Sequence, residues 1–298
     1  MPEPKVHPAA LPNDLSAAEL LLHPDQEGQV SVDPARARWR YLAFRTVALA
    51  LGESHTLKPE LEHAVVVIEG GDVAVECNGT ASIIVRGRES PFAALPSAAY
   101  VPSGLGALVS GTSRAGALVA IASAPPSGRS GVANSAVAIA RDDVRVEVRG
   151  AGNATRQINH IVTPEFPADR LEVVEVLTPS GNWSSWPPHK HDTDDMPTEA
   201  VLEEIYYYRF RRPPAWGMQR LYRADRSRDA AWEVHTGDLV LVTDGYHPFV
   251  AAHGDDAYYL NALAGDRRTM ACTFDPDLDW VRSTWPNMPA DPRVPLGG

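Results

Sequence analysis

GNWSSWPPHKHD, residues 181–192, decides how this chain is read. His189 and His191 stand two apart, and side chains two apart on a strand project from the same face. Two imidazoles on one face chelate a metal ion with little reorganisation, and Pro187 and Pro188 stiffen the approach to that strand. The pair alone describes two surface histidines equally well, so its meaning depends on residues further along the chain. Glu204 opens the strand EIYYYRF and offers a third, oxygen ligand. Glu203 is the rival carboxylate; Glu204 is preferred because it directly precedes the Ile-Tyr-Tyr-Tyr run. VHTGDLVLVTDGYHP then reads as a strand ending in a tight glycine turn and His247, a turn that folds the chain back and carries an imidazole inward. Three histidines and one glutamate leave open positions on Zn, Mn, Fe or Ni, and open positions distinguish catalytic from structural sites.

Around this segment the chain alternates short apolar runs with turns. Strands are expected over 41–51, 64–68, 73–77, 82–86, 98–102, 106–110 and 116–124, with Glu69-Gly70-Gly71-Asp72 as one of the turns. A Pro/Gly/Ser-rich stretch over 124–131 reads as a linker. The rhythm resumes over 144–149, 158–162, 171–178, 204–210, 216–222, 240–243, 247–252 and 258–264; a short helix is expected around 15–22. Two similar sets of strands suggest one β-barrel duplicated: residues 1–130 as a barrel without metal ligands, residues 131–298 as the metal-binding one. In the first half, His55 and His63 flank Glu62 near the place of a ligand pair, but no third imidazole joins them. The turn Tyr100-Val101-Pro102-Ser103-Gly104 leads to Leu105, Gly106 and Ala107 and not to a histidine. The first barrel is therefore expected to be structural.

Length and composition agree with two β-rich domains: 298 residues, 44% hydrophobic and 22% charged, with 26 prolines and 22 glycines to turn the chain. A net charge of -11 repels phosphate backbones and anionic lipid, so neither nucleic acid nor membrane is expected as a partner. A small anionic substrate remains compatible, given local positive charge from a metal or an arginine. Cys77 and Cys272 lie outside any CxxC pattern and read as reduced thiols. MPEPKVHPAALPND at the start has no apolar signal core, and no apolar stretch reaches membrane-spanning length, so a cytoplasmic protein is expected.

The HxH pair, the later glutamate, and the glycine turn with its histidine resemble the two-part motif of the cupin superfamily. The interval from His191 to Glu204 is longer than usual, Thr243 stands where a proline is common, and the turn from Gly245 to His247 is one residue shorter. In order along the chain come PSGNWSSWPPHKHD, LEEIYYYRF, GMQRLYRAD, TDGYHPFVAA and YYLNALAG. This series resembles the 5-deoxy-glucuronate isomerases of bacterial inositol catabolism, relatives of the uronate ketol-isomerases. GRESPFAALPSAAYVPSG and DVRVEVRGAGNATRQI extend the resemblance across nearly the whole chain. Trp186 replaces a commoner tyrosine, and Asp255 and Ala257 replace an aromatic and a larger apolar residue.

The resemblance implies an all-β fold of two cupin-type, jelly-roll-like barrels in tandem with few short helices. It implies conversion of 5-deoxy-D-glucuronate, a uronic acid, into 5-dehydro-2-deoxy-D-gluconate, with one divalent metal at the C1 and C2 oxygens. Proton transfer and hydride shift both give that product. A metal-dependent cupin oxygenase and a non-catalytic sugar-binding cupin are the other readings of the same ligand set. Strand alternation puts Glu204, Tyr206, Tyr208 and Phe210 on one face, so two phenols point toward the metal, to donate to substrate or simply to pack. Glu203, Lys190 and Asp192 adjoin ligands as base or supporting partners, although Lys190 points away from the histidines and is expected to be exposed. Arg220 is the candidate for the substrate carboxylate, with Gln219 on the opposite face; a surface salt bridge competes as its explanation. Trp183, Trp186 and Tyr246 either line the mouth or pack the core, and the acidic run 192–195 is a lid or a solvated loop. An inert first barrel and an apolar surface favour self-association, so a homo-oligomer is expected.

Overall fold

In the computed structural model, which describes residues 14–77 and 81–296, nearly every apolar run becomes a strand. The N-terminal segment read for a signal sequence lies almost wholly outside the described residues. The expected helix is a single turn, Ala17–Leu20, in which Glu19 accepts the backbone N–H of Ser16 at 2.8 Å. The chain then enters a strand, Leu21–Leu22.

Two units share one plan. The first unit's larger sheet runs, in spatial order, Val137–Ile139, Ala98–Val101, Glu62–Gly70, Ala117–Ala124, Ala43–Leu49, Ser31–Val32. Its smaller sheet runs Ser54–Leu57, Ala107–Gly111, Val73–Cys77, Ile83–Val85. The second unit repeats this with Leu21–Leu22, Leu239–Val242, Leu202–Phe210, Ala257–Gly265, Leu171–Thr178, Arg156–Val162 and Arg145–Arg149. Its smaller sheet is Trp183–Ser184, Phe249–Ala251, Gly217–Tyr222, Asp229–Val234. The strand pairings within these sheets are antiparallel and the sheets do not close on themselves, so each unit is a flattened, jelly-roll-like barrel. Membership crosses the boundary at residue 130 in both directions: Leu21–Leu22 pairs with Leu239 and Val240 of the second unit, and Val137–Ile139 pairs with Ala98–Tyr100 of the first.

The strand Glu62–Gly70 shows why the larger sheets read as continuous apolar runs. Val65 and Val67 face inward, joining Val73, Val75, Val109, Val119 and Ile121 in the first unit's interior. Ala64, Val66 and Ile68 face the other way, into a second cluster shared with Phe44, Tyr207 and Ile161. Strands buried on both faces lose the polar alternation of a half-exposed sheet. Each valine so buried contributes about 1.5–3 kcal/mol, which leaves the first barrel filled by aliphatic packing. In the second unit the corresponding interior holds Glu204, Tyr206 and three histidines around a cavity. No helix among the described residues is long and apolar enough to cross a membrane.

Candidate metal centre

The central strand Leu202–Phe210 is held in register by Leu239–Val242 on one side and Ala257–Gly265 on the other. That register directs Glu204 inward, where it meets His191 and His247. His191 Nε2 lies 2.8 Å from Glu204 Oε2, and His247 Nε2 lies 3.3 Å from the same oxygen. The three form the one group among the described residues with donor atoms converging as metal ligands do, all within 4.8 Å.

The tautomers fit a metal. His191 Nδ1 donates to the Leu202 carbonyl at 3.0 Å, and His247 Nδ1 donates to the Gly245 carbonyl at 3.0 Å. In its neutral form each ring then turns an unprotonated Nε2 toward the carboxylate, an arrangement that a cation or a shared proton must satisfy. His247 Nε2 is fully buried and has no hydrogen-bond partner, because its approach to Glu204 is close but not aligned. Ligands about 2.1 Å from one ion stand roughly 3.0–3.4 Å from each other, so the 3.3 Å pair already has that spacing, the 2.8 Å pair need only spread slightly, and the donor types suit a borderline N/O metal such as Zn, Mn, Fe or Ni. Burial drives the pKa of His247 down to about 4, against the pull of Glu204. For His191 burial also acts downward, but the hydrogen bond and charge of Glu204 outweigh it and the net shift is up.

His189 stands beside this set and not within it. Its ring centroid is 4.6 Å from that of His247 and 6.3 Å from that of His191. Its strand is only two residues long, His189–Lys190, paired with Thr273–Phe274. Burial and the two neighbouring imidazoles hold it well below the usual histidine range.

Local chemistry fixes the approach of each ligand. Gly245 has φ +84°, and a Cβ there would meet the Tyr222 carbonyl at 2.4 Å, so the turn that presents His247 requires glycine. Asp192 accepts the Gly245 N–H at 2.8 Å and Lys190 Nζ at 2.6 Å, and Lys190 also reaches Glu199 at 2.8 Å. Lys190 is therefore a half-buried brace, not the exposed side chain expected, and Asp192 is tied down and not a free lid residue. Tyr208 donates to Gln219 Oε1, whose Nε2 donates to the His247 carbonyl at 2.9 Å.

A cavity of about 390 Å³ opens above the centre, lined by His189, His191, Glu204, Tyr206, Trp186 and Tyr259 among others. Tyr206 hydrogen-bonds Ser185 Oγ at 2.7 Å; burial, with the Glu204 charge beside it, holds its phenol far above the usual range. Of the other expected site residues, Tyr208 lies one layer behind the cavity wall, stacked 6.1 Å from Tyr206. Tyr246 packs on Tyr222 at 5.3 Å, away from the cavity. Glu203 faces the opposite side of its strand and accepts backbone N–H groups of Arg40, Tyr41 and Leu42 at 2.7, 3.0 and 2.8 Å. The structure thus places it in the contact between units and not at the centre. Arg220 is also placed elsewhere: half-exposed, it pairs with Asp229 at 2.8 and 2.6 Å while Gln219 takes the inward position.

Sequence reasoning missed Arg156, His160 and Tyr259, all of which line the cavity. Arg156, Ile158 and His160 occupy alternate positions of one strand, a period-two signal that was available. In the first unit, His63 is satisfied by Ser123 Oγ at 2.7 Å and the Lys58 carbonyl at 2.8 Å, and Glu62 points to the other barrel. Cys272 is a free thiol, and Cys77 is buried.

Paired jelly rolls with histidines and a glutamate converging in one of them define a bicupin with, among the described residues, one candidate metal centre. The chain belongs to the KduI/IolB family, which it matches over residues 20–281. It is 38% identical over 260 residues to the 5-deoxy-glucuronate isomerase of Geobacillus kaustophilus, covering 87% of this chain and 92% of that one. The Geobacillus thermodenitrificans protein of the same name is 39% identical over 262 residues, covering 87% and 93%. Among solved structures, an IolB-like protein from Salmonella typhimurium superposes with a TM-score of 0.82 at 36% identity, covering 88% of this chain and 99% of that one. Lactobacillus farciminis oxalate decarboxylase, at 10% identity and TM-score 0.58 over 83% of each chain, shares the fold alone.

Proposed function

We propose that this chain is an aldose–ketose isomerase that converts 5-deoxy-D-glucuronate into 5-dehydro-2-deoxy-D-gluconate, using one divalent ion held by His191, Glu204 and His247, with His189 beside them as a supporting contact. The observation that carries this reading is the convergence of two imidazole nitrogens on Glu204 Oε2 beside a cavity that His191 and Glu204 line. The names of the Geobacillus relatives supply the substrate. Bound there, a divalent ion supplies Lewis-acid polarisation of the two oxygens between which the carbonyl moves. The side chains around it do the rest. Tyr206, kept protonated, donates a hydrogen bond to a substrate oxygen as that oxygen gains charge. His160 faces the same cavity with its Nε2 2.9 Å from Glu147 Oε2, a carboxylate-oriented imidazole suited to carry one proton between adjacent carbons. Ile158, Val174, Val176 and Leu263 give an apolar wall that keeps water from a reactive intermediate.

The test is turnover of 5-deoxy-D-glucuronate under strict anaerobiosis, with elemental analysis of the purified protein before and after chelation. Full turnover without oxygen, lost with the metal and restored by it, is expected. Product that forms only with oxygen, or undiminished turnover by metal-free protein, overturns the reading.

A further inference from the structure

Three arginines face the cavity: Arg149, Arg156 and Arg282. Two have carboxylate partners. Arg149 reaches both oxygens of Glu147, at 2.7 and 3.1 Å, and Arg282 reaches Asp279 at 3.0 Å. Arg156 differs from both. It is 5% exposed, and its one hydrogen bond to a described residue runs from Nη1 to the Ala154 carbonyl at 3.0 Å. Its guanidinium lies 5.9 Å from the ring centre of Trp285, another residue of the cavity wall.

A guanidinium stays charged at neutral pH, and a buried charge without a counter-ion is costly. Burial pulls the pKa of Arg156 down to about 10; the Arg149 charge adds to the drop, and Tyr259, Glu147 and Tyr206 act the other way without cancelling it. The strand register adds to the strain. Arg149 is the direct cross-strand neighbour of Arg156, and like charges facing each other across a ladder repel. Two guanidinia opposed on the inner face, one of them unpaired, leave a position that an oxyanion completes.

We infer that Arg156 is the anion anchor of this cavity and receives the carboxylate of a sugar acid, with Arg149 opposite it. The assignment of that anion to a uronate rests on the isomerase reading; the anchor itself rests on the unpaired guanidinium. The site lies on the same inward face as Ile158 and His160, so a sugar held there spans the wall that carries the proposed base. The planar fork of arginine suits a carboxylate held through two hydrogen bonds.

Calorimetric titration of the metal-loaded full chain with D-glucuronate and, separately, D-glucose tests this without relying on turnover. Charge-assisted hydrogen bonds to one carboxylate predict that the wild type prefers glucuronate by about 10–100-fold. Arg156→Gln is expected to erase that preference while leaving glucose binding as it was, and Arg156→Lys to keep part of it. Relief of an unpaired buried charge predicts that Arg156→Gln melts no lower than the wild type in the absence of sugar. A wild type indifferent to the carboxylate, a variant that retains the preference, or a lowered melting temperature in both variants overturns the proposal. Failure of the isomerase reading looks different: glucuronate binds in an Arg156-dependent way, yet 5-deoxy-D-glucuronate is not turned over.

Discussion

Glu62 and Glu203 hold the two barrels together by the same contact made in opposite directions. Glu203, in the second unit, accepts three successive backbone N–H groups from residues 40–42 of the first. Glu62, in the first unit, accepts three from residues 169–171 of the second, at 2.8, 2.6 and 2.9 Å. Their cross-strand neighbours match as well, Ala124 for Glu62 and Ala264 for Glu203. By this correspondence His63 stands where Glu204 stands, and Val65 where Tyr206 does. The matched strands thus share the brace and differ at the next inward position, histidine in one and glutamate in the other.

Glu203→Ala leaves three backbone N–H groups, two of them part-buried, without their acceptor, so it is expected to lower stability by roughly 1–3 kcal/mol. Turnover per folded molecule should change little, because the carboxylate does not face the cavity. Urea denaturation paired with the isomerase assay checks both halves; a stable but inactive protein would restore Glu203 as base.

The metal ligands should rank by geometry. His247→Ala removes one of the converging nitrogens and is expected to abolish stoichiometric metal, as read by elemental analysis, with the β-sheet circular dichroism retained. His189→Ala removes a ring outside the converging set, so metal affinity should fall only about 10–100-fold, in the range of a supporting contact. Equal losses from both variants would place His189 among the primary ligands.

Tyr206 and Tyr208 share a strand face but not a task. Tyr206→Phe is expected to lower kcat by about 10²–10⁴-fold with little change in KM, as loss of a proton donor at the reacting oxygen does. Tyr208→Phe breaks the link through Gln219 to the His247 carbonyl, so its main effect should be on metal affinity. Steady-state kinetics at saturating metal separates the two.

Glu172 predicts a pH dependence of stability. Its carboxylate is buried, and that burial raises its pKa from 4.5 to about 7 against the opposing charge of Arg268 and a backbone N–H of Thr269. A folded-state pKa above the unfolded one means that its stabilising contribution is complete below about pH 4.5 and is lost as pH rises through about 7. Glu172→Gln should therefore flatten the decline between those values and melt higher than the wild type at pH 8, by on the order of 1–3 kcal/mol. Melts of both metal-free proteins at pH 5 and 8 give the sign directly; a variant less stable than the wild type at pH 8 contradicts it.

What is legible in the sequence is what is local. The pair His189 and His191, the inward alternation of Glu204, Tyr206 and Tyr208, and the glycine turn before His247 each depend on neighbours within a few residues. Arg220 shows the limit. Alternation says that Gln219 and Arg220 face opposite ways, but which of them is inside depends on pairing with Phe249–Ala251, thirty residues on. Glu203 shows the same limit at longer range, since its partners are backbone groups more than 160 residues away. The strand Asp229–Val234 escapes sequence reasoning because it is largely exposed and lacks an apolar run, and Val137–Ile139 because it lies just past the linker and belongs to the other unit's sheet.

That exchange of strands has a consequence for what evolution can do with this chain. Leu21–Leu22 closes the edge of the sheet that carries Glu204, and Val137–Ile139 closes the edge of the other unit's larger sheet. Cutting between the halves would strip a border strand from each, so neither barrel can be deleted without damage to its neighbour.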